Sequence, residues 1–200
     1  MSFDIDWAFI GRLEGAGRRD GYVPRDAAGR VEGQSGVTIA TGFDIGQHDQ
    51  RELDALFGAG SDLARAFAPY AELRRAAAVE ALERRPLMLT AEQVVRVDRV
   101  VKARKATALA RAYDAAVAAR RDRRLATFRA LPREAQTVVA SVAFQYGTDL
   151  ARAAPTFWRH AVAQDWAAVE RELRAFGDRY PTRRRREADY LAPLSRRARR

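Results

Sequence analysis

Ser35-Gly36-Val37-Thr38-Ile39-Ala40-Thr41-Gly42-Phe43-Asp44 is the stretch on which the reading of this chain turns. It carries small and polar residues where a buried strand would carry bulk, and it ends in a lone carboxylate just past a glycine. Alternation places Val37, Ile39 and Thr41 on one face of a strand, with Thr38 and Ala40 on the other. Run straight on to residue 44, that strand would hold Thr38 and Asp44 on one face but roughly 20 Å apart, at about 3.3 Å per residue. They could not then touch one water molecule. A bend at Gly42, which glycine permits, is what would bring them together. The plainer reading of Asp44 is a turn or helix-capping residue.

Upstream, the spacing of Ile5, Phe9, Leu13 and Ala16, with Ile10 beside them, predicts a helix from about Asp6 to Ala16, ended by Gly15 and Gly17. Glu14 falls at its end, at the edge of the apolar side. The negative end of the helix dipole favours the neutral carboxyl there, the form a general acid needs. The alternative is a structural glutamate paired with an arginine. Between residues 18 and 47, six glycines with Pro24 and Asp26 predict turns around short strands, with Val23 and Val31 as weak strand centres.

Downstream the pattern is helical. Residues 49–85 hold short helices built on Leu53, Leu56 and Phe57, then Leu63, Phe67 and Tyr70, then Leu73, Ala77 and Leu82. His48 reads as a loop residue. Thr90, with Gln93 at the capping-box position, opens a helix running to about Ala119, with apolar residues at Val94, Val97, Val101, Ala108, Ala112 and Val117. At about 1.5 Å per residue it is on the order of 43 Å long, enough to bridge two lobes. The basic run Arg120–Arg124 is a solvated turn. From Arg133 to Tyr146 little polar face remains, so this helix is the centre of a second lobe, capped by Gly147. Pro155, Asp165 and Pro181 open three further helices, and the basic tail from Ser195 frays.

Composition bounds the function. The 200 residues suit one domain or two closely packed lobes, and Ala- and Leu-rich runs point to a mostly helical chain. There is no run of eighteen apolar residues, hence no transmembrane helix, and the N-terminus lacks the basic start and apolar core of a signal peptide. Synthesis in the cytoplasm is expected, with action elsewhere requiring carriage. Without cysteine there are no disulfides, and two lone histidines argue against a metal centre. The net charge of +10 invites an anionic partner: nucleic acid, membrane or cell-wall polymer. Yet all but Lys102 and Lys105 of the 36 basic residues are arginine, a bias that GC-rich coding also produces.

Taken in order, four motifs resemble the phage-type lysozymes, and within them the pesticin-like branch of bacterial toxins. They are Phe9-Ile-Gly-Arg-Leu-Glu-Gly15; Gly36-Val-Thr-Ile-Ala-Thr-Gly-Phe-Asp44 with Ile45-Gly46-Gln47; Gln136-Thr137 leading to Ala143-Phe-Gln-Tyr-Gly147; and the spacing of Trp166 and Pro181-Thr182-Arg183 from that last motif. The resemblance covers nearly the whole chain. It implies a lysozyme-like α+β fold, mostly helical, as a single domain of residues 1–200. A small stranded lobe of about 15–89 would be joined through a helix of about 91–119 to a helical lobe of about 120–194, which packs with the first helix, 6–16.

The resemblance also implies a muramidase that hydrolyses the β-1,4 bond between N-acetylmuramic acid and N-acetylglucosamine by inversion. Glu14 would be the acid, Asp44 and Thr38 would hold the attacking water, and the carboxyls would stand roughly 6.5–9.5 Å apart. Gln145 and Tyr146 match the wall of the sugar site, with the end of a buried helix as their plainer role, and Arg183 matches the arginine that pairs with the glutamate. One departure is marked: classical phage lysozymes carry an aspartate nine residues after the glutamate, where this chain has Val23, so the flanking Asp20 and Asp26 compete with Asp44. No cofactor or metal is implied. The expected partners are peptidoglycan and an immunity or inhibitor protein, with no nucleic acid or membrane, and a monomer as the default. Without a signal peptide, a secretion system, toxin uptake or lysis would carry it to the periplasm and wall. Rival readings are a glycosidase acting on chitin or chitosan, and a non-catalytic basic module binding wall or nucleic acid.

Overall fold

The computed structural model describes residues 3–14 and 17–197 of the chain. Gly15 and Ala16, to which the first helix was expected to run, lie outside them, as do residues 198–200. The chain is mostly helical, with ten α-helices among the described residues and one three-stranded antiparallel sheet, the expected α+β class. It divides into two compact units, Glu14–Ala103 on one hand and Met1–Leu13 with Arg104–Arg200 on the other.

In the Glu14–Ala103 unit the strands β1 (Arg18–Tyr22), β2 (Thr38–Ala40) and β3 (Phe43–Asp44) lie in that spatial order. β2 is shorter than the expected Val37–Thr41, and Val37 through Ala40 are all buried, so both its faces are covered. Val23 follows β1 and Val31 makes only an isolated bridge with Arg25, so neither centres a strand. The outer edge of β1 is not left open: Gly21 N–H donates to the Leu87 carbonyl at 2.9 Å and Leu89 N–H to that of Arg19 at 2.8 Å.

Helices α2 (Gln50–Phe57) and α3 (Asp62–Phe67) are capped by Asp49 and Ser61, and α4 (Arg75–Arg84) follows. Leu53, Leu63, Phe67 and Tyr70 are buried against the sheet's Ile39 and Phe43 in one core. In α4 the buried residue is Ala78, while the expected Ala77 is exposed. An unbroken run of alanines gives no contrast by which to set the helix phase. Phe43 anchors the aromatic cluster, stacked on His48 at 5.0 Å and edge-on to Phe57 at 5.5 Å. His48 lies in a loop, as expected, and also packs there, with its Nδ1 3.1 Å from Glu52.

Helix α5 (Ala91–Ala119) opens with a reciprocal capping box. Thr90 N–H donates to Gln93 Oε1 at 2.9 Å, and Gln93 N–H donates to Thr90 Oγ1 at 3.1 Å. Val94 and Val97 bury in the first unit, and Ala106, Leu109, Ala110, Tyr113 and Val117 in the second. Ala108, expected on the apolar stripe, is exposed.

The second unit is helical: α1 (Trp7–Glu14, all but its last residue), α6 (Arg133–Tyr146), α7 (Leu150–Ala153), α8 (Pro155–Val162), α9 (Trp166–Arg174) and α10 (Pro181–Arg197), with the later half of α5. Nine successive residues of α6, Ala135 to Ala143, are buried, which makes it the centre of this core. Its end is forced by Gly147, at φ +87°. Gln136 and Thr137 fasten the N-terminal segment: Gln136 Oε1 accepts from Asp4 N–H at 3.0 Å, and Thr137 Oγ1 accepts from Asp6 N–H at 2.9 Å. The ring of Phe9 then lies 4.3 Å from that of Tyr190. The expected fraying at Ser195 does not occur there, because α10 continues to Arg197 and both Leu194 and Ser195 are buried.

Candidate active site

The bend at Gly42 exists, and it is sharper than a kink. Gly42, at φ +94°, closes the four-residue turn Ile39–Gly42, in which its N–H donates to the Ile39 carbonyl at 3.2 Å. Ala40 takes φ +55°, a left-handed conformation that costs a residue with a Cβ on the order of 1–2 kcal/mol. What holds the turn is Asp98 of α5, which accepts from Thr41 Oγ1 at 2.6 Å and from Thr41 N–H at 3.2 Å. Folded back in this way, β3 pairs with β2 so that Asp44 stands directly opposite Thr38, and Phe43 opposite Ile39. The neighbouring Ile45 N–H to Val37 carbonyl bond, at 2.8 Å, makes Thr38–Asp44 a non-hydrogen-bonded pair, the closer of the two kinds, with Cα atoms about 4.5 Å apart. Tyr22 is opposite Thr38 on the other side, so Tyr22, Thr38 and Asp44 form one row across the sheet.

The Asp44 carboxylate is gripped by backbone. Gly36 N–H donates to both of its oxygens at 3.1 Å, Gly46 N–H to Oδ1 at 3.0 Å, and the Gln47 amide to Oδ2 at 3.3 Å. Asp44 thereby caps the 3-10 turn Ile45–Gln47, so the plainer reading of this residue also holds. Two glycines make the grip. A Cβ on Gly36 would sit 2.7 Å from Asp44 Oδ1 and 2.6 Å from Gly46 Cα, and one on Gly46 would sit 2.1 Å from the Leu73 carbonyl oxygen. Thr38, 4% exposed, directs its hydroxyl to the Gly36 carbonyl at 3.3 Å.

Glu14 ends α1 and begins the unit that holds Thr38 and Asp44. Its side chain is exposed, not half-covered at the edge of the apolar side as its spacing suggested. Asp20 and Asp26, the rival carboxylates, are committed elsewhere. Asp20 is bound by Arg18 at 2.5 Å, which holds its pKa below the usual range. Asp26 accepts from the Arg30 and Ala28 N–H groups, each at 2.9 Å, and from Arg30 Nε at 3.0 Å; the Arg30 amide is the main cause of its lowered pKa. Asp26 thus closes a tight local turn, while Asp20 pairs with a side chain of its own strand, β1.

The remaining expected site residues belong to the helical unit. Gln145 Oε1 accepts from Arg184, and Tyr146 donates its hydroxyl to Asp178 at 2.6 Å while its ring stacks on Phe176. Arg184 is 1% exposed, and it binds Asp178 at 2.8 Å and the wholly buried Glu187. Arg183 donates to Glu187 at 3.1 Å and to the Ser141 carbonyl at 3.0 Å. Gln145, Tyr146 and Arg183 thus each have a part in one buried ionic network. Sequence reasoning missed Tyr22 and Asp98, and it held Gly36, Gly46 and Gln47 only as letters of a motif, without their roles. Of these only Asp44-x-Gly46 carried a local signal, that of an aspartate turn.

Residues 4–167 match the Pesticin family, described as the bacterial toxin homologue of phage lysozyme, C-term. The matched span contains Glu14, Thr38, Asp44, Gln145 and Tyr146 and stops short of Arg183. No curated protein matches the chain. The match covers most of the sequence and both glycine-bounded motifs, and the chain belongs to the pesticin family of phage-lysozyme-like bacterial toxins.

Proposed function

We infer that the protein is a muramidase that hydrolyses the N-acetylmuramic acid–N-acetylglucosamine bond of peptidoglycan. The observation that carries this reading is the Thr38–Asp44 pair, a hydroxyl and a fixed carboxylate facing one another across a hairpin. Such a pair can orient a water and take its proton as the water attacks the anomeric carbon. Glu14 is the group that protonates the departing glycosidic oxygen. With the water between carboxylate and sugar the reaction inverts configuration, which calls for carboxyls roughly 6.5–9.5 Å apart. Tyr22, next in the row, carries the Arg18 guanidinium over one face of its ring, 4.2 Å from the centroid, so a sugar ring would lie against the other. Gln145 and Tyr146 as sugar contacts, and Arg183 as the cation supporting the acid, enter only through the lysozyme resemblance. As a toxin acting on the wall, the protein would reach the periplasm by a secretion system, toxin uptake or lysis, and its producer would hold an immunity protein.

The test is digestion of purified peptidoglycan by the wild type and by Glu14→Gln, reading new reducing ends. Loss of a general acid is expected to lower the rate by about 10²–10⁴-fold. No new ends from the wild type would overturn the enzyme reading. Undiminished release by Glu14→Gln would move the acid elsewhere. Retention of anomeric configuration in the first-formed product would remove the Thr38–Asp44 water.

A further inference from the structure

The Glu14–Ala103 unit also contains an open groove of about 610 Å³, lined from the β1–β2 connection by Arg25, Val31 and Gly33 and from α4 by Arg75, Val79 and Glu80. Arg25 spends one N–H on the Gly29 carbonyl at 2.8 Å, and Arg75 spends one on the Gly33 carbonyl at 3.2 Å. A guanidinium has five N–H donors in a planar fork, so each is anchored and still able to grip a carboxylate. Among the described residues neither arginine lies within 4.0 Å of an acidic group, and Glu80 is drawn to Arg84 at 2.7 Å. The groove is therefore cationic and unneutralised, with the half-buried apolar side chains of Val31 and Val79 beside the charges.

Two features tie the groove to the candidate site. Arg75 is held at φ +53°, where a residue with a Cβ is strained, and its N–H donates to the Ser35 carbonyl at 2.9 Å. The same short segment lines the groove at Gly33 and grips Asp44 through Gly36. Three residues of chain span at most about 10 Å.

We propose that this groove binds the stem peptide of peptidoglycan, Arg25 and Arg75 taking its carboxylates and Val31 and Val79 packing against its alanine methyls. The groove would favour peptide-bearing glycan over bare strands. The peptide is preferred to a phosphate polymer because a poly(glycerol phosphate) has no methyl groups to set against the valines. The identity of the ligand rests on the muramidase reading, but its binding does not require catalysis.

The experiment titrates the full chain with a synthetic stem pentapeptide ending in D-Ala-D-Ala, for the wild type and for R25Q/R75Q. Glutamine keeps an N–H for the loop carbonyls and removes the charge, and an unchanged melting temperature reports an intact fold. The expected result is saturable binding by the wild type, weakened at least about ten-fold in the double variant, as loss of charge-assisted hydrogen bonds implies. The ratio of kcat/KM on peptide-bearing over amidase-stripped strands should fall about as much. Absent binding by the wild type, or equal binding by both, overturns the proposal, as does poly(glycerol phosphate) binding in place of the peptide. If neither protein hydrolyses peptidoglycan the muramidase reading falls, and the titration still decides the groove.

Discussion

At the scale of residues, Asp44 does two jobs at once, and substitutions must be read with that in mind. Asp44→Asn keeps an acceptor for Gly46 at the Oδ1 position but puts an NH2 where Oδ2 stood, facing both the Gly36 N–H and the Gln47 amide, donor against donor. We expect a loss of about 1–3 kcal/mol in urea unfolding, together with a fall in glycan release of at least about 10²-fold. Asp20→Asn and Asp26→Asn should leave release near the wild-type rate, and a collapse in either would transfer the role of Asp44 to it. Asp98→Ala should cost a further ~1–3 kcal/mol, since it strands the N–H and hydroxyl of Thr41. Asp44 and Thr38 were legible because their spacing is local and Gly42 announces a turn. Asp98 was not, because it lies 57 residues from the turn it holds and looks, in sequence, like any acid on a charged helix. Nor could the Gly36 amide be read, since backbone donors carry no letter of their own.

At the scale of elements, caps and breakers were the readable part. Thr90 and Gln93 make the box their spacing implied, and Thr90→Ala is expected to cost about 1 kcal/mol, measured by the shift in denaturation midpoint. Pro155, Asp165 and Pro181 likewise mark real helix starts. Helix phase was harder. Ala77 and Ala108 were assigned to buried faces that belong to Ala78 and Leu109, because alanine is equally at home on either side. The glycines of the Asp44 loop offer a contrast. Gly46→Ala cannot be absorbed, with its Cβ 2.1 Å from a carbonyl oxygen, whereas Gly11 in α1 has open space around it. Gly46→Ala should lower stability by more than about 2 kcal/mol, and Gly11→Ala should raise it by about 1 kcal/mol.

At the scale of the whole molecule, two charge effects should be measurable. The net charge of +10 should draw the protein to an anionic wall, so the apparent KM for peptidoglycan should rise steeply as salt goes from low ionic strength to about 0.15 M. The second effect is internal. Burial alone would raise the Asp178 carboxyl, but hydrogen bonds from Tyr146, the Tyr180 amide and Arg184, with the charge of Arg184, outweigh it and hold its pKa below the usual value. A carboxyl depressed on folding stabilises the native state above its unfolded pKa, about 3.9, and that contribution is lost as pH falls through the native value. Urea midpoints should therefore drop between pH 5 and pH 2, and the gap between wild type and Asp178→Asn should narrow over the same range. The network around Asp178 was illegible for a plain reason. Arg183 to Arg186 are four identical letters, and only the phase of α10 decides that Arg184 is buried while Arg185 and Arg186 are exposed.

The grip on Asp44 has a spectroscopic consequence. The Gly36 and Gly46 amide protons point at the carboxylate itself, and glycine amides fall in an uncrowded window of a nitrogen–proton correlation map. Any event at that carboxylate should therefore be seen as displacement of these two signals, without a label or a turnover assay. A sugar arriving beside Asp44 would shift Gly36 and Gly46 first. A peptide settling between Arg25 and Arg75 would shift Gly33 first and reach Gly36 only weakly. The chain thus carries its own pair of reporters, and they separate the two proposed events on the same sample.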